Sequence, residues 1–230
     1  MTKQDKSTKK FGDEHLIEGF KKVCTGNISD VLETMGYRSA VHQEIRPIFV
    51  PVTMVGRAHT IKVEKTKREG DPSGISTIAK ETCKPGDVVV LACGGYQHGD
   101  AVIWGENSAT ACQVRGAVGT IIDGGCRDTA RLREMKFPIY CRATSPGGRR
   151  GTIYAVAYDV PVVFGGIRVS PGDIIVGDDD GICVIPKEIA EEALRRVEAY
   201  AKLDQAVAPA LREGKSVADA YSIKAGALKY

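Results

Sequence analysis

The chain has 230 residues, with 32 Lys and Arg against 29 Asp and Glu, a formal charge of +3 at neutral pH. A chain of this size buries about 70% of its unfolded surface, enough for a core without disulfide or metal staples. Its 43% hydrophobic and 27% charged residues exclude extended disorder, and the small net charge leaves no nucleic-acid footprint.

The start, MTKQDKSTKK, is polar and basic with no apolar stretch behind it, so it reads as a loose tail over residues 1–10 and not as a secretory signal. No apolar run nears the ~20 residues of a membrane span. The seven cysteines are scattered, with no CxxC pair, and most lie in apolar stretches such as VVVLACGG and GICVIP. That usage fits buried thiols in a reducing cytoplasm. The four histidines are scattered as well, which directs any metal towards oxygen ligands and hence towards hard cations.

In chain order, CTGNISDVLETMG (24–36) predicts a helix with Ile28, Val31, Leu32 and Met35 on one face, Asn27 as N-cap and Gly36 as its end. Residues 48–63 read as strand, 70–84 as a turn and short helix, and PGDVVVLAC (85–93) as a buried strand. A polar, Gly-rich loop (94–106) precedes a helix at 107–115 and a strand at 117–122. The turn DGGCRD then leads to a short helix at 129–136 and a strand opening at Pro138. Short strands fill 151–184, where PGDIIVGDD echoes the earlier PGDVVVL, either through duplicated halves or through shared turn chemistry. A long helix follows from Lys187 to about Leu211. The expectation is one α/β domain over 11–215 with a mixed sheet and a long C-terminal helix, then a tail over 216–230.

The chemistry concentrates in WGE (104–106) and DGGCRD (123–128). Twenty residues separate Glu106 from Arg127. A nine-residue helix advances roughly 14 Å and the strand after it returns about 17–20 Å, which brings Glu106 back beside Arg127 and Asp128. In open α/β sheets the carboxyl edge of the strands is where ligands bind. There a guanidinium holds a carboxylate bidentately. Asp128 and Glu106 offer oxygens to a hard cation. The peptide N–H groups of Asn107 and Ser108, at a helix start, face an anion.

Blander roles fit the same residues: an N-cap for Asp128, a structural Glu106–Arg127 ion pair, a packing role for Trp104. His98, in the loop before Glu106, reads as a solvated side chain that could reach the site, and Asp178-Asp179-Asp180-Gly181 as a tight turn, since it lacks the spacing of a calcium loop.

The segment WGENSATACQVRGAVGTIIDGGCRDTARLREMKFPIY, with NISDVLE, PGDVVVL and PGDIIVGDDDGICVIP around it, resembles the 4-hydroxy-4-methyl-2-oxoglutarate aldolases and RraA-like proteins. The resemblance implies an α-β-β-α sandwich of the swivelling-domain type, assembled as a homotrimer or homohexamer with sites between protomers. It implies a metal-dependent lyase that cleaves a 4-hydroxy-2-oxo acid to pyruvate, with oxaloacetate decarboxylation alongside. Glu106, Arg127 and Asp128 would be its catalytic residues. Arg127, Gly105, Asn107 and Ser108 would bind the pyruvyl half, and Asp128 and Glu106 would hold Mg2+ or Mn2+. A Glu from a neighbour's C-terminal helix would join them; Glu198 is the first candidate, with Glu191, Glu192 and Asp204 as others. Thr129-Ala130-Arg131 stands where the family places a further acidic residue, a departure that bears on the substrate. The resemblance also admits a non-catalytic regulator that binds a ribonuclease. A Schiff-base aldolase using Lys62 or Lys80 is the rival chemistry.

Overall fold

The computed structural model describes residues 12–65, 74–94, 102–148 and 153–225. Two helices open it, α1 (Asp13–Phe20) and α2 (Thr25–Thr34), followed by the short strand β1 (Arg46–Pro47) and the long strand β2 (Met54–Lys65). Helix α3 (Ile75–Glu81) leads to β3 (Asp87–Ala92), β4 (Val102–Trp104) and helix α4 (Glu106–Gln113). Strand β5 (Gly119–Cys126), helix α5 (Thr129–Glu134) and strand β6 (Ile139–Thr144) complete the alternating stretch. Five shorter strands follow: β7 (Ile153–Tyr158), β8 (Val162–Phe164), β9 (Ile167–Val169), β10 (Ile174–Gly177) and β11 (Ile182–Ile185). The long helix α6 (Ala190–Arg212) and a short α7 (Val217–Ser222) end the described chain, so part of the segment expected as a C-terminal tail is helical.

The sheet runs β1-β6-β5-β3-β2-β10-β11. Its centre, β2, β3, β5 and β6, is parallel; β10 and β11 join antiparallel, β7 pairs antiparallel with β2, and β4 lies parallel beside the end of β5. Alternation along the strands builds the layers. In β3, Val89 and Leu91 face one apolar cluster with Ala79, Ala109 and Leu132 of α3, α4 and α5, while Val88 and Val90 face a second. In β10 and β11, Ile175, Ile182 and Val184 share that second cluster, whereas Ile174, Val176 and Ile185 pack with Ile28, Leu194 and Val197 of α2 and α6. The sheet therefore curls around an inner core, with helices on both outer faces. These are the expected α-β-β-α layers, and strands buried on both sides need the continuous apolar runs that the sequence shows.

The Pro-Gly-Asp echo has a local cause. Gly86 and Gly172 both take positive φ, 88° and 85°, and each following aspartate folds back three residues: Asp87 Oδ2 accepts from the Lys84 N–H at 2.8 Å and Asp173 Oδ2 from the Ser170 N–H at 2.7 Å. The strands they open then lie on opposite sides of β2, one parallel and one antiparallel to it. One turn, used twice, explains the repeat.

The acidic run at 178–181 is the expected turn between β10 and β11, closed by the Asp178 N–H on the Gly181 carbonyl at 3.0 Å. Its carboxylates are structural. Asp178 accepts from the N–H and Oγ1 of Thr25 at 2.8 and 2.7 Å, capping α2 from 153 residues away, and from the Asp180 N–H at 3.0 Å. Helix α2 thus begins at Thr25, two residues before Asn27, which is not its cap. Asp179 accepts from the Val52 N–H at 2.7 Å. With Pro51 offering no N–H to a ladder, residues 48–53 stay outside the sheet, and the strand expected over 48–63 begins only at Met54, as β2. Asp178→Ala should lower the unfolding free energy by about 1–3 kcal/mol, the cost of a lost cap and of the donors left behind, read as a drop in urea midpoint at unchanged slope.

Candidate active site

Strand β4 is the element that the expected 94–106 loop concealed. It runs parallel to β5 with Trp104 paired to Cys126, so both strands reach the same sheet edge in register. Gly105 follows one and Arg127 the other, and the Arg127 N–H closes the pair on the Trp104 carbonyl at 3.0 Å. The residues expected to be a turn, Asp123–Cys126, stay in β5, where a shift of register relative to β6 falls between Ile122 and Gly125. Asp123, almost fully buried, forms an ion pair with Arg142 of β6, whose guanidinium also lies 2.7 Å from Glu44. A buried carboxylate needs such a partner, and this one anchors the strand that carries the site.

At the edge, Arg127 and Asp128 are 50% and 41% exposed, their Nε and Oδ2 3.7 Å apart. Asp128 occupies the N-cap position of α5 with φ 59°, but its side chain makes no cap hydrogen bond there. Instead its Oδ2 accepts from the Glu106 N–H at 3.1 Å, the first peptide of α4. Capping the neighbouring helix, not its own, turns this carboxylate towards the pocket. Gly105 has extended backbone, φ −163°, open to any residue; what excludes a side chain is space. A Cβ there would come within 2.4 Å of Asp128 Oδ2 and 3.2 Å of Arg127 Cγ.

These residues line a pocket of about 160 Å³ together with Val102, Ile103, Asn107 and Ser108. Among the described residues, the N–H groups of Asn107 and Ser108 have no protein acceptor, so α4 presents free donors and its positive end to whatever enters. Glu106 is exposed and lines no wall of this pocket, and it makes no ion pair with Arg127 within 4.0 Å. Trp104 is 2% exposed in the core cluster below, the expected packing anchor, although its Nε1 has no partner among the described residues. Burial pushes the thiol of Cys126, the strand partner of Trp104, up to about 12. Glu198 lies half-buried on α6, which packs on α1 and α2 and not on the elements of this site. His98 lies outside the described residues.

Residues 25–184 match the family described as RraA-like, Aldolase/RraA. The chain belongs to the RraA-like family. Over 206 residues it is 30% identical to a Halalkalibacterium halodurans protein named "Putative 4-hydroxy-4-methyl-2-oxoglutarate aldolase", spanning 90% of this chain and 93% of that one. A Deinococcus radiodurans protein of the same name is 35% identical over 133 residues, 58% of this chain and 78% of its own. Among solved structures, Streptomyces coelicolor RraAS2, titled an unusual member of the RNase ES inhibitor RraA protein family, superimposes with a TM-score of 0.76 at 26% identity, over 86% of this chain and 97% of that one. No described helix is long and apolar enough to cross a membrane.

Whether the site of this RraA-like chain suits a cation depends on its donors. No three His, Cys, Asp or Glu side chains cluster among the described residues, which excludes an all-protein cage within one chain's described part. A magnesium-like ion keeps several waters and takes only one or two carboxylates. Asp128, exposed and using one oxygen on Glu106 N–H, fits that demand with Glu106 beside it. Sequence reasoning passed over a further wall: Thr144 and Ser145, at the end of β6. Thr144 pairs with Cys126. Counting the parallel strand after Pro138 to the same edge would have found both.

Proposed function

We propose that this RraA-like protein is a class II, divalent-metal-dependent aldolase that cleaves a 4-hydroxy-2-oxo acid to pyruvate and a second carbonyl compound, with oxaloacetate decarboxylation as a second activity. The observation that carries this reading is the convergence of the Arg127 guanidinium, the Asp128 carboxylate and the free N–H groups of Asn107 and Ser108 on one small pocket. The names of the Halalkalibacterium halodurans and Deinococcus radiodurans relatives support the same reaction class.

Arg127 binds the pyruvyl carboxylate, and its five donors leave a fork free for it although Asp128 is near. The N–H groups of Asn107 and Ser108 hold the substrate where negative charge grows at the 2-oxo oxygen, donors fixed in advance by the helix. Gly105, lacking a side chain, leaves room for the Asp128 carboxylate and the Arg127 side chain at the pocket. Asp128 holds Mg2+ or Mn2+, with Glu106 bearing on its waters and Glu198 of a neighbouring copy joining from a homotrimer or homohexamer. When bound, the cation supplies an electrophile that draws charge from the 2-oxo group. A water held near Glu106 would take the proton of the 4-hydroxyl as the C3–C4 bond parts.

Neither candidate Schiff-base lysine is in a desolvated pocket with Arg127. Lys62 is half-exposed with Nζ 2.6 Å from Glu64, and Lys80 Nζ donates to Ser76 Oγ at 3.0 Å. The seven cysteines are all free, six of them buried, which supports a reducing, cytoplasmic setting.

The test is pyruvate release from oxaloacetate and from 4-hydroxy-2-oxo acids by the full chain with Mg2+ or Mn2+. Turnover above the metal-only blank, abolished by EDTA and leaving no adduct after borohydride treatment with pyruvate, is the expected result. No turnover with either metal would turn the reading towards a ribonuclease-binding regulator, the class named for the Streptomyces neighbour.

A further inference from the structure

Away from the pocket, two thiols from neighbouring helices meet. Cys83 comes just after Thr82, the C-cap of α3, and Cys112 stands in the last turn of α4. The two helices pack on each other, and the turns that leave them are joined, with the Gly86 N–H donating to the Gly116 carbonyl at 2.9 Å. Both sulfurs sit in the same apolar cluster, Cys112 fully buried and Cys83 7% exposed. There the Cys83 S–H donates to the Cys112 sulfur. A competing acceptor, the Ala79 carbonyl, is already taken by His59 Nε2 at 2.7 Å and Thr82 Oγ1 at 3.1 Å, and the Cys83 sulfur stands 3.7 Å from it. A carbonyl has two lone pairs, so the Cys83 proton is left for Cys112.

We propose that Cys83 and Cys112 are a redox site, a dithiol that hydrogen peroxide oxidises to a disulfide bonding α3 to α4. Thiolate character concentrates on Cys112. The hydrogen bond from Cys83 holds its thiol below the usual range against the opposing effect of burial, and the positive charges of Lys80 and Arg115 add to it. Arg115 is fixed at that end of α4 by its Nη1 on the Ala111 carbonyl at 2.9 Å. Burial instead pushes the thiols of Cys141 and Cys183 up, to about 11 and about 12. A thiolate near cations and poised against a second thiol is open to oxidation, whereas a neutral thiol sealed in apolar surroundings is inert. In a reducing compartment such a bond forms under oxidant and is reduced again afterwards.

The electrons balance between the pair and its oxidant. The Cys112 thiolate attacks a peroxide oxygen, the O–O bond breaks and hydroxide leaves, which makes a sulfenic acid at Cys112. The Cys83 sulfur then attacks that sulfur, the S–O bond breaks and the S–S bond forms. The hydroxyl departs as water with the Cys83 proton, and the first hydroxide takes up the proton that Cys112 had released. The two thiols lose a pair of electrons and the peroxide ends as water. A covalent sulfur–sulfur link is closer than any thiol contact, so oxidation draws α4 towards α3. The first turn of the same helix carries the Asn107 and Ser108 N–H groups that face the pocket. The effect on turnover rests on the aldolase reading above; the disulfide does not.

The experiment treats the reduced full chain with a few equivalents of hydrogen peroxide, blocks the remaining thiols with iodoacetamide and maps the peptides without reductant. A peptide pair linked through Cys83 and Cys112 should be the main product, should disappear with dithiothreitol, and should be absent from Cys83→Ser and Cys112→Ala. Pyruvate release should fall about tenfold or more in the oxidised parent protein, the scale of a small misplacement at a site, and recover with dithiothreitol. In Cys83→Ser it should not respond to peroxide. Cys83 and Cys112 both recovered alkylated after unfolding, or linked to other cysteines, would overturn the inference and leave the aldolase reading standing. The linked pair with unchanged pyruvate release would uphold the redox site and overturn its effect on the pocket. The linked pair in a protein that releases no pyruvate before oxidation would uphold the redox site and overturn the aldolase reading.

Discussion

Arg127→Ala should weaken pyruvate binding by about 100-fold or more, with the fold intact. Two charge-assisted hydrogen bonds are worth roughly 1.5–3 kcal/mol each, and every 1.4 kcal/mol is tenfold in affinity. The side chain is half-exposed and its nearest ionic partner, Asp128 Oδ2, is 3.7 Å away, beyond a hydrogen bond. Truncation therefore removes little that holds the protein together. Arg127→Lys should recover only part of the loss, because an ammonium cannot grip both carboxylate oxygens in one plane. Calorimetry with pyruvate, beside a thermal melt of each variant, separates binding from stability. An affinity for pyruvate unchanged in Arg127→Ala would remove the guanidinium from the proposed site.

Gly105→Ala tests the same site from the side of packing. The backbone at this position accepts alanine without strain, since φ is −163°. The added methyl would instead meet Asp128 Oδ2 at 2.4 Å. The carboxylate is the free end of a side chain and can swing away, so the cost to stability should be modest, about 1–3 kcal/mol as for other overpacked positions. Swinging away breaks the 3.1 Å bond from the Glu106 N–H and moves the carboxylate that lines the pocket. Turnover should fall by about 100-fold or more, in line with the effect of small misplacements on positioned groups, while the thermal midpoint drops by about 2–12 °C. Full activity in Gly105→Ala would show that the placement of Asp128 against α4 has no part in the reaction.

Both predictions depend on a juxtaposition that the sequence disclosed only in outline. The twenty-residue spacing and the helix–strand reading between Glu106 and Arg127 bring the two ends to one edge, and the sheet does so. Strand β4 escaped notice because Val102–Trp104 is too short for a periodic pattern, and only its partner β5 makes it a strand. Asp123–Cys126 read as a turn because two glycines in a row mark turns locally; burial between β6 and β4 keeps them extended. Asn27 as a cap follows from the same local chemistry. A carboxylate from residue 178 does that work, and no window of neighbouring residues contains it.

Sequence alone determined the mixed α/β class, the apolar strands buried on both faces, the Pro-Gly-Asp turns, the acidic turn at 178–181 and the residue types at the site, because each follows from periodicity or local backbone chemistry; the α-β-β-α layering was implied by the family resemblance. Tertiary structure decided which groups meet: that Asp128 caps α4 and not its own helix, that Gly105 must lack a side chain, and that Thr144 and Ser145 reach the edge of the site. Those facts depend on distances between strands paired across the sheet, and such distances are set by the register of the whole fold.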